Sequence, residues 1–154
     1  MWVVWNDYII IFKQIIPNAL CDKILNEYID SEEWITTGVG SDGKPNTNIR
    51  NCETIEISQG YTIRESHQRR EIDREIFDVA EECINKYNDK FSYARIQEDT
   101  GYELLRYNEG GFYVEHTDSF LNAPRLITAS FILNNDYEGG EFAFFGDTLK
   151  YKLN

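Results

Sequence analysis

Residues 102–118 read Tyr-Glu-Leu-Leu-Arg-Tyr-Asn-Glu-Gly-Gly-Phe-Tyr-Val-Glu-His-Thr-Asp, and the fold class predicted for the chain rests mainly on this segment. From residue 102 onward the hydrophobic pattern has the period of two that is typical of β-strands. Short strand-like runs alternate with turn signals that contain Gly, Pro, Asn or Asp. The pattern predicts five strands, over residues 102–108, 112–118, 125–133, 141–145 and 149–153.

Upstream of these runs, the apolar residues are spaced as in α-helices. After Pro17, a three-and-four spacing predicts a helix whose apolar face ends at Ile29. A second stripe predicts a longer helix over residues 69–88 and consists of Ile72, Ile76, Ala80, Cys83 and Tyr87. Residues 38–48, which contain three glycines and a proline, predict a mobile loop that is either a lid or a plain connection. Short strands are also predicted over residues 8–12 and 51–58.

The order of these elements predicts an α+β protein in which the helices support one face of a sheet. A chain of 154 residues fits one domain, with helices and supporting strands in residues 1–100 and the block of strands in residues 101–154. Residues 125–133 carry apolar side chains on both alternating faces. We therefore expect this strand to be covered on both sides, as in a barrel or in two facing sheets.

Composition excludes several classes of protein. The formal charge of −12 argues against a nucleic-acid partner, because such binding depends on clusters of Lys and Arg. Three widely spaced cysteines, without a Cys-x-x-Cys, argue against a disulfide framework or a zinc site. The N-terminal residues have neither the pattern of a targeting signal nor an apolar run that could span a membrane. We expect a soluble protein of the cytoplasm, and the oligomeric state stays open.

His116 and Asp118 are the residues that carry chemistry. Side chains two apart in a strand share a face, so the run from Phe112 to Asp118 predicts an imidazole beside a carboxylate. These two groups are two-thirds of the two-His-one-carboxylate triad that holds non-haem Fe(II). The alternative is a hydrogen-bonded His-Asp pair at a strand end. The other histidine, His67, lies in a polar run and is interpreted as a surface residue.

Three segments together resemble the prolyl 4-hydroxylase-like family of iron(II)- and 2-oxoglutarate-dependent dioxygenases. They are residues 102–118, residues 125–134 (Arg-Leu-Ile-Thr-Ala-Ser-Phe-Ile-Leu-Asn) and residues 137–142 (Tyr-Glu-Gly-Gly-Glu-Phe). Their order and spacing are similar to those of the family. The resemblance implies a double-stranded β-helix (jelly-roll) core that is buttressed by N-terminal helices, with residues 101–154 as its first part and the C-terminal part incomplete.

The same resemblance implies a role for seven residues. His116 and Asp118 would be metal ligands. The others would line the 2-oxoglutarate pocket (Tyr107, Thr128 and Ile132) or contact a peptide substrate (Tyr113 and Arg125). By strand alternation alone, Tyr113 should lie on the face opposite His116 unless a bulge intervenes. The implied cofactors are Fe(II), 2-oxoglutarate as co-substrate and ascorbate, and the implied reaction is the hydroxylation of peptidyl proline in a peptide or protein.

The sequence departs from the family after residue 142. The family has a second histidine ligand in a later strand, followed by a Lys or Arg that pairs with 2-oxoglutarate, whereas no histidine follows His116 here. Three explanations stay open. In the first, which the strand-like run at the end of the sequence favours, the chain is a truncated form of a complete enzyme. In the second, it is a binding module that keeps the core and has lost the metal. In the third, another chain supplies the missing strands and the missing histidine.

Overall fold

The computed structural model describes residues 2–4, 7–40, 43–58, 66–96, 98–119 and 125–152. Within them the chain is α+β, as predicted, with two helices and several small antiparallel sheets. The helices are α1 (Asn18–Tyr28) and α2 (His67–Lys90). The strands are β1 (Trp2–Val4), β2 (Ile10–Phe12), β3 (Ile35–Thr36), β4 (Gly38–Val39), β5 (Lys44–Pro45), β6 (Arg50–Asn51), β7 (Glu53–Glu56), β8 (Glu103–Arg106), β9 (Phe112–Tyr113), β10 (Phe142–Phe144) and β11 (Leu149–Tyr151).

Both predicted helices are confirmed, and each begins at a residue suited to the position. Pro17 precedes α1, and its carbonyl accepts the first helical hydrogen bonds. Ser66 caps α2, because its side-chain oxygen accepts a hydrogen bond of 3.2 Å from the backbone amide of Arg69. The predicted stripe of α2 is buried at Ile72, Ile76, Ala80 and Cys83. None of the described helices combines the length and apolarity that crossing a bilayer requires.

The core lies between these helices and the sheet β3–β7–β8. Strand β7 is central and pairs antiparallel with β3 on one side and with β8 on the other. Its side chain Ile55, together with Ile57, packs against the buried faces of α1 and α2. The described core cluster consists of Leu20, Ile24, Tyr28, Ile55, Ile57, Ile72 and Ile76. The sheet is therefore held in place from its helical side.

Residues 38–48 are not the loop that the sequence predicted. Strands β4 and β5 form a short antiparallel hairpin there, in which Gly38 is opposite Pro45 and Val39 is opposite Lys44. A side chain at Gly38 would meet the carbonyl of Gly43 at 2.0 Å, so the two strands approach more closely than any other residue would allow. The glycines thus serve a tight hairpin.

Two of the predicted strands are corrected. The run over residues 112–118 is a strand only at Phe112–Tyr113, because β9 finds a pairing partner for just these two residues. Residues 125–133 form no strand. Leu126 is 69% exposed, whereas Phe131 and Leu133 pack against the core cluster. The apolar side chains of this run are therefore partly buried without strand pairing, and the expected cover on both sides is absent.

The other predicted strands are found, but they do not join into a larger sheet. Strands β10 and β11 pair with each other in a hairpin of their own. The described strands form separate sheets of two or three strands and no closed barrel. The jelly-roll is thus not established by this arrangement, and it stays a prediction.

The core predicts the effect of one substitution on α2. Ile72 is completely buried, so Ile72→Ala should lower the free energy of unfolding by about 2–5 kcal/mol through lost contacts and a cavity. Phe77→Ala is the matched control on the same helix, since Phe77 is 42% exposed, and it should cost much less. Urea unfolding followed by circular dichroism measures both. Equal losses would show that the core has been assigned wrongly.

Candidate functional site

The site is built on the pairing of β6 with β9. Arg50 is opposite Tyr113 and Asn51 is opposite Phe112, and the amide of Val114 extends the ladder by donating to the carbonyl of Ile49 at 3.0 Å. The pairing brings the chain after β9 next to residues that precede the central strand β7. His116 and Asp118, which follow Tyr113 in the chain, therefore come directly after this short ladder.

Gly111 allows the two strands to meet. A side chain at this position would lie 2.8 Å from the carbonyl oxygen of Asn108 and 2.9 Å from that of Asn51. The amide of Gly111 itself donates to Asn108 at 2.8 Å and closes the turn before β9. Only glycine leaves room for the backbone of β6 at this distance.

His116 and Asp118 lie side by side. The imidazole Nε2 is 3.2 Å from Oδ1 of Asp118, and the two side chains are 34% and 37% exposed. The other ring nitrogen, Nδ1, is 2.8 Å from the carbonyl oxygen of Val114. Because a carbonyl only accepts hydrogen bonds, Nδ1 carries a proton and Nε2 is the atom that faces the carboxylate.

The second oxygen of Asp118 is also held. Thr128 Oγ1 donates to Asp118 Oδ2 at 2.5 Å. The carboxylate therefore turns one oxygen to the threonine and the other to the imidazole. The imidazole thus donates to the carbonyl of Val114 and the carboxylate accepts from Thr128, and hydrogen bonds of this kind orient imidazole and carboxylate ligands around metal sites.

This arrangement has two chemical interpretations. If Nε2 is protonated, the pair is an imidazolium–carboxylate ion pair. If Nε2 is unprotonated, its lone pair and Oδ1 both face the same point and repel each other unless a cation lies between them. Two ligand atoms at right angles, each about 2.1 Å from a metal, are about 3 Å apart. The observed 3.2 Å is close to this separation, so the pair fits two positions of a metal site.

The His116–Asp118 pair supplies two metal ligands. Among the described residues no group of three or more His, Cys, Asp or Glu side chains could hold a metal ion. His67, the other histidine, is exposed at the start of α2 and lies 3.6 Å from Glu71. Neither of these two residues has a described contact with the His116–Asp118 pair.

Tyr113 lies against His116, which corrects the prediction that the two are on opposite faces. Their ring centroids are 3.5 Å apart and the rings are nearly parallel, at 18°. The strand ends at Tyr113, so side chains beyond it no longer alternate across a sheet. The guanidinium carbon of Arg50 lies 4.5 Å from the centroid of the same ring. The ring of Tyr113 therefore contacts both the imidazole of His116 and the guanidinium of Arg50.

Tyr107 lies beside Arg50 and Cys52. The residue is 47% exposed. Burial of the phenol, together with Cys52, raises the pKa of Tyr107 to about 12, and the positive charge of Arg50 only partly opposes this rise. Tyr107 is therefore a neutral phenol at neutral pH. The Cys52 thiol is buried and lies 3.2 Å from the hydroxyl of Thr37.

The structure thus places five of the seven predicted residues along one series of neighbours. The series runs from Tyr107 through Arg50 and Tyr113 to the pair and to Thr128. The other two residues, Arg125 and Ile132, are exposed and half-buried respectively, and no described contact links them to it. Arg50 was missed as a site residue. Only the register of β6 against β9 reveals it, and register between distant two-residue strands is not visible in a sequence.

Comparison with known proteins adds nothing to this geometry. No protein-family model, curated protein or solved structure matches the chain.

The close approach at Gly111 gives a prediction for the site. Gly111→Ala should separate β6 from β9 and destabilise the fold by about 1–3 kcal/mol, because the new methyl group overlaps two carbonyl oxygens. Amide hydrogen exchange should locate the effect, with loss of protection at Val114, whose amide bonds to Ile49. Glu109→Ala, on an exposed neighbour in the same turn, should leave that amide protected. Unchanged protection in the alanine variant at 111 would contradict the assigned pairing.

Proposed function

We propose that this protein is an iron(II)- and 2-oxoglutarate-dependent dioxygenase that hydroxylates peptidyl proline in a peptide or protein, on a double-stranded β-helix core. The observation that carries the proposal is that His116 Nε2 and Asp118 Oδ1 lie 3.2 Å apart. A hydrogen bond also holds the other polar atom of each side chain, Nδ1 of His116 and Oδ2 of Asp118. An ion pair alone needs no such double orientation, whereas a metal site depends on it.

His116 and Asp118 would hold the metal, which supplies the activation of oxygen for insertion into a C–H bond. The carbonyl of Val114 keeps the proton of His116 on Nδ1, so that Nε2 is available as a ligand atom. Thr128 prevents the carboxylate of Asp118 from rotating away. Tyr113 covers one face of the imidazole and excludes water from it.

Tyr107 would bind the 2-oxo acid. Its phenol keeps its proton at neutral pH, since its pKa is about 12, and can therefore donate a hydrogen bond to a carboxylate. Two exposed apolar side chains precede His116 in the sequence. They are Phe112, in β9, and Val114, the residue after this strand, and each is 42% exposed. An accessible apolar surface of this kind favours a substrate such as a proline side chain over a charged one.

Metal binding tests the proposal directly. Anaerobic titration calorimetry with Fe(II) should show one site, and His116→Ala or Asp118→Ala should weaken binding at least tenfold. His67→Ala is the matched control and should bind as the wild type does, because His67 is exposed on α2. If the His116 and Asp118 variants bind Fe(II) as tightly as the control, the pair is an ion pair and the proposal fails.

Turnover is the second part of this test. With Fe(II), 2-oxoglutarate and a proline-containing peptide, the protein should form succinate, and His116→Ala should abolish it. Peptide binding that persists without metal and without His116, in the absence of succinate, would contradict the enzyme and favour a binding module on the same core.

The orientation of Asp118 gives a further prediction. Thr128→Val removes the hydroxyl that donates to Asp118 Oδ2 while keeping the shape of the side chain. Fe(II) affinity should fall by roughly 10- to 100-fold, the usual effect of losing a hydrogen bond that orients a metal ligand. Thr128→Ser keeps the hydroxyl and should restore most of the affinity. Equal affinities in the two variants would show that Thr128 does not orient the carboxylate.

A further inference from the structure

A polar cavity of about 230 Å³ lies beside the turn before β9. It is lined by Thr36, Thr47, Asn51, Cys52, Glu53, Asn108 and Gly111. None of the seven residues that the resemblance assigns to a site is among them. The cavity is smaller than the about 300–1,000 Å³ of sites that hold drug-sized molecules, so its ligand is a small one.

Strand register brings the polar side chains of this cavity to one face of the sheet. Thr36 is opposite Glu53, and Glu53 is in turn opposite Arg106. Residues that are directly opposite in antiparallel strands project to the same face. Asn108 joins this face, because its Nδ2 donates to Glu53 Oε2 at 3.1 Å. Asn51, two residues before Glu53, completes the polar lining.

The cavity and the His116–Asp118 pair use different faces of the β6–β9 ladder. Asn51 is opposite Phe112, so these two side chains share a face. Arg50 and Tyr113 are the neighbouring pair and project to the other face, since side chains alternate along a strand. Tyr113 is the residue that contacts His116. The cavity is therefore separate from the proposed metal site.

The charges around the cavity favour a neutral ligand. Glu53 is the charged residue of the described lining, and its Oε2 accepts a hydrogen bond from Arg106 Nε at 2.9 Å. The hydrogen bonds from Arg106 and Asn108 lower the pKa of Glu53, which is therefore a carboxylate balanced by a guanidinium. Arg106 would repel a cation that approached this pair, and Glu53 would repel an anion.

Several polar groups of the cavity are left for such a ligand. Within the part of the chain that the structure describes, no hydrogen bond satisfies Glu53 Oε1, the side-chain amide of Asn51, or the hydroxyls of Thr36 and Thr47. The carboxylate oxygen only accepts, whereas the amide and the hydroxyls donate as well as accept. A complementary ligand carries several neighbouring groups that also do both, as hydroxyls do.

An aromatic ring lies on the same face as these polar groups. Phe112 is 42% exposed and is opposite Asn51. A sugar ring has an apolar C–H face and a polar edge, so it can pack on an aromatic side chain while its hydroxyls bond to a carboxylate and an amide. This combination of groups matches a carbohydrate better than a ligand that is polar all round.

We propose that this cavity binds a neutral carbohydrate through a single sugar ring. Phe112 packs on one face of the ring, Glu53 Oε1 accepts from one hydroxyl, and the amide of Asn51 bonds to a neighbouring one. The inference does not rest on the proposed function, because it uses none of the residues assigned to the metal or to the 2-oxo acid. Phe112 also belongs to the apolar surface described for a peptide substrate, so the experiment includes a peptide.

Titration followed by NMR tests the site. The ¹⁵N-labelled protein, without metal, is titrated with the methyl α-D-pyranosides of glucose, mannose and galactose, which differ in the orientation of ring hydroxyls. The side-chain amide resonance of Asn51, identified as the one lost in Asn51→Leu, should shift in a saturable manner with at least one of them. The control compound is 2-(hydroxymethyl)tetrahydropyran, which has the same ring with a single hydroxyl, and it should leave the resonance in place.

A variant of the cavity adds the affinity. Thr36→Val removes a hydroxyl from the lining while keeping the shape of the side chain, and the Asn51 resonance still reports binding. Affinity for the glycoside should fall by roughly 2- to 10-fold, as expected for loss of one hydrogen bond between neutral groups. Thr100→Val is the matched control and should bind as the wild type does. Thr100 is exposed and precedes β8, whereas the cavity lies beyond the other end of that strand.

Three results would overturn the carbohydrate site. One is the absence of a saturable shift with any of the three glycosides. Another is an equal shift with the control compound, which would show that the ring hydroxyls are not recognised. The third is a shift with a proline-containing peptide and with no glycoside, which would assign the cavity to a peptide. Since no Fe(II) or 2-oxoglutarate is added, none of these results decides whether the protein is a dioxygenase.

Discussion

Burial of Ile55 and Ile57 against the two helices is the interaction on which the rest of the structure depends. These side chains belong to the central strand β7 and the residue that follows it, and they pack against α1 and α2 in the core cluster. Packing of this kind fixes the strand along its length, because a buried side chain allows no slip in register. Arg50 and Asn51 lie immediately before this strand, so the core also fixes β6. The site is therefore positioned from the helical side through one short segment.

The spacing of apolar residues in the sequence predicted both helices correctly. The stripe on α2 and the face of α1 could be recognised because burial repeats every three or four residues within one helix. Residues 125–133 show the limit of that reasoning. An apolar run indicates that side chains are buried, but it does not show whether the backbone forms a strand. Here Phe131 and Leu133 contact the core although their backbone is not paired in a sheet.

The site could be predicted only in its local part. The spacing of His116 and Asp118 predicted that the two side chains are neighbours, and their atoms lie 3.2 Å apart, although the strand assumed in that prediction ends at Tyr113. The orientation of Tyr113 was predicted wrongly, because the strand ends where the pairing with β6 ends. Arg50 was not predicted as part of the site, since its place depends on a contact between residues more than sixty positions apart.

Arg50, Arg69 and Arg106 each lie over an aromatic ring, and they differ in the groups that surround the guanidinium. An arginine on an aromatic ring gains from the ring and from burial of its stem, but its donors still require acceptors. Arg69 and Arg106 satisfy that requirement with glutamates of the same protein, and the excess of acidic residues makes such partners easy to find. At Arg50 the groups that interact with the guanidinium are instead the phenol of Tyr107 and the thiol of Cys52. Arg50 therefore links the β6–β9 pair to Tyr107 and Tyr113, so that the packing of β6 also determines where the two tyrosines beside the His-Asp pair lie.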